Sequence, residues 1–197
     1  MSKKKKVAIL FGGRSVEHGV SVNSARNIFE HINKDRFEPL PIGITKAGQW
    51  HLTSGVTKDI GQGKALGLIL DAQSPGFILV SSGDRIKADI VFPVLHGTDG
   101  EDGSIQGMIK AMDIPMVGTG VLGSSISMNK IIAKRLLQAA GLPVTRGGPQ
   151  RISGRCVSPR GGWEAAARPP LDTQIQPPCY LWLHRCCANV WLRATLN

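Results

Sequence analysis

The chain has 197 residues, of which 42% are hydrophobic, so it can form one ordinary domain or one domain followed by part of a second. Its formal net charge of +10 would suit a nucleic-acid-binding protein, but in the first 145 residues the excess is largely the lysine run at 3–6, and no basic helix with interleaved aromatic residues follows. No apolar segment is long enough for a secretion signal or a membrane span, so we expect a cytoplasmic protein with neither nucleic-acid nor membrane partners.

The first elements predicted are a strand, a turn and a helix. Residues 6–11 are an almost uninterrupted apolar run, which is typical of a strand buried on both faces of a parallel sheet. Gly12 and Gly13 then turn the chain. Apolar residues recur at helical spacing from Val22 to Ile32, so this segment predicts the helix of a βαβ unit.

A second strand and a hairpin follow. Residues 37–44 predict a strand, and Pro39 and Pro41 favour a place towards the edge of the sheet. Residues 46–52 predict a turn that leads into a short strand. Residues 53–87 contain only short apolar pieces between Gly, Ser and Pro, and they predict no clear arrangement.

The remaining elements have clearer patterns. Residues 89–95 predict a buried strand, residues 104–112 a helix with one apolar face, and residues 114–117 another strand. The last predicted element is a helix over residues 128–140, which Gly141 ends. This succession indicates the α/β class, with a mostly parallel sheet and flanking helices.

The sequence pattern changes near residue 145. Residues 146–197 contain seven Arg, no Lys, all four Cys and three of the four Trp, and their apolar residues follow neither the period of a strand nor that of a helix. Such a change is typical of a reading-frame slip, because codon bias survives it while the packing pattern is lost. We therefore expect an irregular tail that is non-native or disordered, and its cysteines have no metal-binding spacing.

Two loops are dense in glycine and functional side chains, and in an open parallel sheet ligands bind where such loops gather. The first loop, residues 11–21, reads FGGRSVEHGVS, and the second loop, residues 95–103, reads LHGTDGEDG. The first loop lacks the glycine spacing of a dinucleotide-binding fingerprint. Its Glu17 suits a cation such as a substrate ammonium, although a carboxylate that caps the following helix is the commoner explanation.

The second loop allows two interpretations. His96 lies within six residues of Asp99, Glu101 and Asp102, so the loop has the side chains of a metal site, but their spacing matches no standard cluster. The alternative is a loop in which Asp102 or Ser104 caps the next helix. Spacing leaves the two interpretations evenly matched, and we predict no metal ligands.

Lys130 lies in the first turn of the last predicted helix. A cation there opposes the helix dipole, which favours a bound anion such as phosphate. An ordinary exposed lysine is the commoner case.

Three stretches together closely resemble the amino-terminal part of the D-alanine–D-alanine ligases, an ATP-grasp family. They read FGGRSVEHGVSVNSA, DIVFPVLHGTDGEDGSIQGM and VGTGVLGSSISMNKIIAKRLLQAAGLPV, and the resemblance extends from about residue 5 to residue 145. It implies a pre-ATP-grasp, Rossmann-like substrate-binding domain at residues 1–118 and the start of the ATP-binding middle domain at residues 119–145. Residues 146–197 are the tail.

The resemblance also implies roles for four residues. Glu17 is similar to the glutamate that holds the ammonium of the first D-alanine, and it is the candidate catalytic residue. His96 is similar to a loop histidine close to that substrate, and Glu101 to a loop acid that helps organise the site, so both are candidate substrate-binding residues with Glu17. Lys130 is similar to a lysine that contacts ATP phosphate, and Asn129 beside it stands where the family often has an aspartate.

The activity implied is the ATP-dependent joining of two D-alanines for peptidoglycan synthesis. ATP and Mg²⁺ are the implied cofactors, D-alanine is the implied partner, and the family is typically dimeric through its first domain. Nothing after Thr145 resembles the later domains of the family, so we expect a truncated, inactive chain that does not bind ATP and Mg²⁺ productively. The alternative is a non-catalytic binding protein that combines a ligase-like domain with a new Arg/Pro/Trp-rich tail.

Overall fold

The computed structural model describes residues 3–71 and 73–145, so the predictions for the tail lie outside the described residues. The chain separates into two units, Met1–Val144 and Thr145–Asn197. The strands of the first unit are β1 (Lys5–Gly12), β2 (Phe37–Ile44), β3 (Trp50–Leu52), β4 (Lys64–Ile69), β5 (Gly76–Leu79), β6 (Arg85–Ile86) and β7 (Ile90–Pro93). The α-helices are α1 (His18–His31), α2 (Ser104–Ala111), α3 (Val121–Met128) and α4 (Lys130–Ala139), and a 3₁₀ helix covers Ile60–Gln62.

These seven strands form one sheet in the order β6-β5-β4-β3-β2-β1-β7. β1 is parallel to both of its neighbours, β2 and β7, whereas each pair from β2 to β6 is antiparallel. The predicted α/β class with flanking helices is confirmed, but the sheet is mixed, and its parallel part is limited to β2, β1 and β7. The reason is that β2 to β6 follow one another without an intervening α-helix, and only a long crossover, usually a helix, can join parallel strands.

The antiparallel part of the sheet curls back towards the parallel part. β6 and β7 stand at opposite ends of the strand order, yet only three residues separate them, and these span at most about 14 Å. Seven strands laid flat would place the outer two about 29 Å apart. The curl brings Leu66 and Phe77 of the antiparallel strands into one core cluster with Ala8 and Leu10 of β1.

β1 is the central strand of the parallel part of the sheet, between β2 and β7. Every side chain from Val7 to Phe11 is fully buried, as the apolar run predicts. α1 packs against β1, and its buried side chains include Val22 and Ala25. Ile105 and Ile109 of α2 share the core cluster that contains the even-numbered β1 residues. Helices therefore cover the central strand, which explains its continuous hydrophobicity.

The prolines of β2 do not place it at the edge, because β2 lies between β1 and β3. The carbonyl of Pro41 accepts a hydrogen bond from Thr53 N at 3.1 Å, on the side of β3. Within a strand, the N–H and C=O of one residue point towards the same neighbouring strand, and the direction repeats every second residue. The nitrogens of Pro39 and Pro41 therefore both point towards β3 and away from β1. The parallel ladder with β1 therefore loses no donor, and β3 pairs only with residues 42–44.

The predicted hairpin is confirmed, and β3 is antiparallel to β2. Thr45 N donates to Gln49 O at 2.9 Å, and Gly48 has a φ of +86°. The segment at 53–87, which predicted no clear arrangement, contains the 3₁₀ helix and the three strands from β4 to β6.

The strand predicted at 114–117 is wrong, since its pairing is limited to one parallel bridge between Val91 and Met116. Val117 N donates to Val91 O at 2.9 Å, and the next residue, Gly118, has a φ of +122° that turns the chain away.

The last helix begins at Lys130 rather than at residue 128. Asn129 caps it, with Oδ1 accepting from Ile131 N at 3.2 Å and from Ile132 N at 3.1 Å. It ends before Gly141, as predicted, but α3 in front of it was not predicted. Across residues 3–71 and 73–145, no helix has both the length and the apolar character needed to cross a bilayer.

Candidate functional site

The two glycine-rich loops meet at one edge of the sheet, because β1 and β7 are parallel and each strand leads into one of them. The last four residues of the first loop form the start of α1. Both loops line a cavity of about 350 Å³, called here the crevice. Its polar lining residues include Arg14, Ser15, His96, Thr98, Asp99 and Ser104, and its apolar ones include Ile44, Trp50, Leu95, Ile105 and Met108.

Gly12, the last residue of β1, has a φ of +91°, a conformation that only glycine adopts easily. A Cβ atom at this position would lie 2.9 Å from Ile60 Cδ1 and 3.0 Å from His18 Cε1. The next residue is held as well, because Gly13 N donates to Ile44 O at 2.8 Å and His18 Nδ1 donates to Gly13 O at 2.7 Å. Gly13 also has a positive φ, of +93°, so the backbone of this turn favours glycine at both positions.

Ser21, on the buried side of α1, joins the ends of the two strands. Its Oγ accepts a hydrogen bond from Gly12 N at 2.8 Å and donates one to Val94 O at 2.5 Å, and the residue is fully buried. The sequence did not single out this serine, because an isolated serine in a helix gives no signal of its own.

Glu17 is the N-cap residue of α1, but its side chain makes no capping hydrogen bond, so the helix-cap explanation is wrong. Its carboxylate lies against the second loop instead. A Cβ atom on Gly97 would be 2.6 Å from Glu17 Oε2 and 2.6 Å from Ser15 Oγ. The absence of a side chain at Gly97 allows this carboxylate to approach the loop that carries His96.

His96 and Glu101 form a pair within the second loop. His96 Nδ1 lies 3.6 Å from Glu101 Oε1, and only 16% and 12% of the two side chains are exposed. His96 Nε2 lies 3.3 Å from Ser24 Oγ of α1. The fold therefore brings three of the four predicted site residues into one region, with Glu17 beside Gly97 and His96 beside Glu101.

The side chain of Asp102 stabilises the second loop by accepting hydrogen bonds from backbone N–H groups. Its Oδ1 accepts from Ser104 N at 3.0 Å, in the first turn of α2, and its Oδ2 accepts from Asp99 N at 2.9 Å. Burial raises the pKa of Asp102, but the N–H groups of Ser104 and Asp99 outweigh this and hold the pKa below its ordinary value. The N-cap residue is Gly103, which has no side chain, and the carboxylate of Asp102 accepts the hydrogen bond from Ser104 N at the start of the helix.

The metal-site interpretation gains no support from the described residues, among which no three His, Cys, Asp or Glu side chains are grouped to hold an ion. The prediction that no metal ligands are present stays a prediction for the chain as a whole.

Arg14 and Asp99 connect the two loops through an exposed ion pair. Lys130, in contrast, is exposed at the start of α4 and is not among the residues that line the crevice. Its predicted contact with ATP phosphate therefore stays a prediction.

Comparison with known proteins places this geometry in a family. A family model described as "D-ala D-ala ligase N-terminus" matches residues 6–119. A D-alanine–D-alanine ligase of Shouchella clausii is 44% identical, and the comparison covers 73% of this chain and 42% of that protein. A D-alanine–D-alanine ligase A of Chromobacterium violaceum is 41% identical, with 72% and 42% covered.

Solved structures agree. The VanG D-Ala:D-Ser ligase of Enterococcus faecalis has a TM-score of 0.67 at 37% identity, and the D-alanine-D-alanine ligase of Coxiella burnetii has a TM-score of 0.67 at 31% identity. Each comparison covers 73% of this chain and 44% of the other. The chain thus spans less than half the length of the relatives it matches. Since the family model covers more than half of its residues, the chain belongs to the family of the D-Ala–D-Ala ligase N-terminus.

Proposed function

We propose that the described residues form the D-alanine-binding amino-terminal part of a D-alanine–D-alanine ligase. The observation that carries this proposal is the position of Glu17, whose carboxylate makes no cap hydrogen bond and lies over Gly97, next to the His96–Glu101 pair. A carboxylate that does not cap its own helix is suited to bind the cationic group of a ligand. The ammonium of an amino acid is such a cation.

The chemistry of the relatives supports D-alanine as the ligand. D-alanine is common to the names of all four proteins compared above, whereas D-serine appears only for VanG. We therefore assign D-alanine to the site beside Glu17 and leave the second substrate unassigned. His96 and Glu101 then lie close to the bound amino acid, as the resemblance implies.

ATP and Mg²⁺ belong to the proposed activity of the whole ligase, but the described residues do not fit them. No cluster of metal-ligating side chains lies among these residues, and exposed Lys130 is outside the crevice lining. We therefore assign no phosphoryl-transfer step to residues 3–71 and 73–145. By itself, the 197-residue chain is expected to show no D-alanine-dependent ATP hydrolysis; turnover clearly above that of a heat-denatured control would contradict this.

D-alanine binding is best tested by NMR, because weak binding is expected and chemical shifts report it residue by residue. The ¹⁵N-labelled chain is titrated with D-alanine and, separately, with L-alanine. We expect saturable shifts at Glu17, Gly97 and His96 with D-alanine only. Glu17→Gln should weaken the affinity at least about tenfold, because the ammonium loses a charged partner.

The matched control for this test is Glu30→Gln, which removes a carboxylate from the exposed side of the same helix. Its affinity should equal that of the unmodified chain. Equal shifts with both alanine enantiomers, or an unchanged affinity in Glu17→Gln, would refute the proposal.

A further inference from the structure

The hydrogen bonds between β1 and β7 stop abruptly where the loops begin. The two strands are paired as far as Leu10 and Pro93, and Val94 N donates to Leu10 O at 2.8 Å. In a parallel ladder the next bond would run from Gly12 N to Val94 O. The hydroxyl of Ser21 stands between these two atoms, accepting from the first at 2.8 Å and donating to the second at 2.5 Å.

A hydroxyl is chemically suited to this position, since it can accept one hydrogen bond and donate another. Both backbone groups keep a partner, so the interruption costs little in unpaired polar groups. The two strand ends, however, are now separated by an inserted oxygen rather than joined directly. The first loop leaves β1 at Gly12, and the second loop follows β7 just after Val94.

We propose that Ser21 is a positioning residue whose hydroxyl holds the two loops apart and so sets the width of the crevice. Its effect on D-alanine rests on the function proposed above, whereas its effect on the backbone does not. Without the hydroxyl, Gly12 N and Val94 O can complete the ladder and draw the loops together. Glu17 and His96, which follow the two strand ends, would then lose their relative position.

The test compares Ser21→Ala with Ser21→Thr, which keeps a hydroxyl, and with Ser124→Ala, which removes a buried serine from α3. In chains labelled with ¹³C and ¹⁵N, scalar coupling across a hydrogen bond from Gly12 N to Val94 C′ reports a direct bond. We expect this coupling in Ser21→Ala alone. D-alanine affinity should fall at least about tenfold in the same variant and recover in Ser21→Thr.

A folded Ser21→Ala chain without the coupling would overturn the proposal. If that variant does not fold, Ser21→Cys replaces it, because a thiol is a weak donor and acceptor. The Gly12 amide should then exchange with deuterium faster than in the unmodified chain, and an unchanged rate would overturn the proposal. If the unmodified chain does not bind D-alanine, the proposed function is disproved. The coupling and the exchange rate of the Gly12 amide would still test the role of Ser21.

Discussion

Arg14 and Asp99 are 85 positions apart in sequence, yet both nitrogens of one edge of the guanidinium contact the same carboxylate oxygen. Arg14 Nε lies 3.0 Å and Arg14 Nη2 2.7 Å from Asp99 Oδ2. Both residues also line the crevice, so the pair ties the first loop to the second at the opening. Asp99 has a φ of +67°, a left-handed conformation that Asp and Asn tolerate better than most residues.

The Arg14–Asp99 pair should contribute little to global stability, because 62% and 36% of the two side chains are exposed. A double-mutant cycle of Arg14→Ala and Asp99→Asn, followed by urea unfolding, should give a coupling of less than about 1 kcal/mol. Asn keeps the backbone conformation while it removes the charge. The coupling energy should be smaller still in 1 M NaCl, because salt screens exposed charges. A coupling energy above about 2 kcal/mol that does not change with salt would contradict the exposed position of the pair.

Gly12→Ala should destabilise the chain by more than about 2 kcal/mol, for two reasons. The new methyl group would be too close to Ile60 and His18, and a φ of +91° is strained for alanine. Gly19→Ala is the matched control. Gly19 lies in α1, and apart from its chain neighbours and the backbone of its own helix no heavy atom lies within 4 Å of the point where a methyl group would stand. Alanine there should therefore stabilise the helix by about 0.5–1 kcal/mol. Thermal and urea unfolding measure both effects, and changes of the same sign in the two variants would contradict this account.

Asp102 should make the second loop sensitive to acid. Its pKa in the folded chain is below the ordinary value of about 3.9, so its contribution to stability is present above that value and is lost as the pH falls through the lower, folded pKa. Asp102→Asn should cost about 1 kcal/mol at pH 7, because the amide keeps one acceptor oxygen where the carboxylate uses two, and progressively less as the pH falls below 4. Urea unfolding between pH 2 and 7 tests this, with Glu30→Gln as the control. A cost that stays constant down to pH 2 would rule out the carboxylate as its source.

Asn129→Ala should loosen α4 by about 1 kcal/mol, because Ile131 N and Ile132 N lose their acceptor. α4 has ten residues and buries none of them, so it depends on its cap more than a packed helix would. Hydrogen exchange should be faster along α4 in this variant and close to normal in Asn129→Asp. Unchanged exchange in both variants would show that tertiary contacts, not the cap, hold this helix.

The sequence predicts those elements whose burial is uniform or strongly periodic. β1 is covered on both faces and reads as a continuous apolar run, and α1 shows its buried stripe at helical spacing. The strands from β4 to β6 are short and partly exposed, so their composition resembles that of a loop. α3 escaped prediction because its sequence, VLGSSISM, is rich in Gly and Ser.

The loops of the site are recognisable from their glycines, and the resemblance to the ligase family drew attention to Glu17, His96 and Glu101. Local pattern alone favoured a wrong explanation for Glu17, because it cannot show that a carboxylate has turned away from its helix. The bridge from Ser21 to Val94 spans 73 positions. Contacts of this kind depend on which strands become neighbours, and a single sequence does not record that.

The pairing of β1 with β7 also has a consequence for the order in which the domain folds. The antiparallel strands from β2 to β6 join residues close in sequence, whereas β7 reaches β1 only after a loop of about eighty residues has closed, as the bond from Lys6 N to Asp89 Oδ2 across 83 positions illustrates. Closing the longer loop has the larger entropic cost, so the antiparallel ribbon should form before the strands that frame the crevice. In pulse-labelled refolding, the amide of Thr45 should become protected before that of Val94. The side of the crevice that β1 and β7 frame should therefore take shape later than the antiparallel side that carries Ile44 and Trp50.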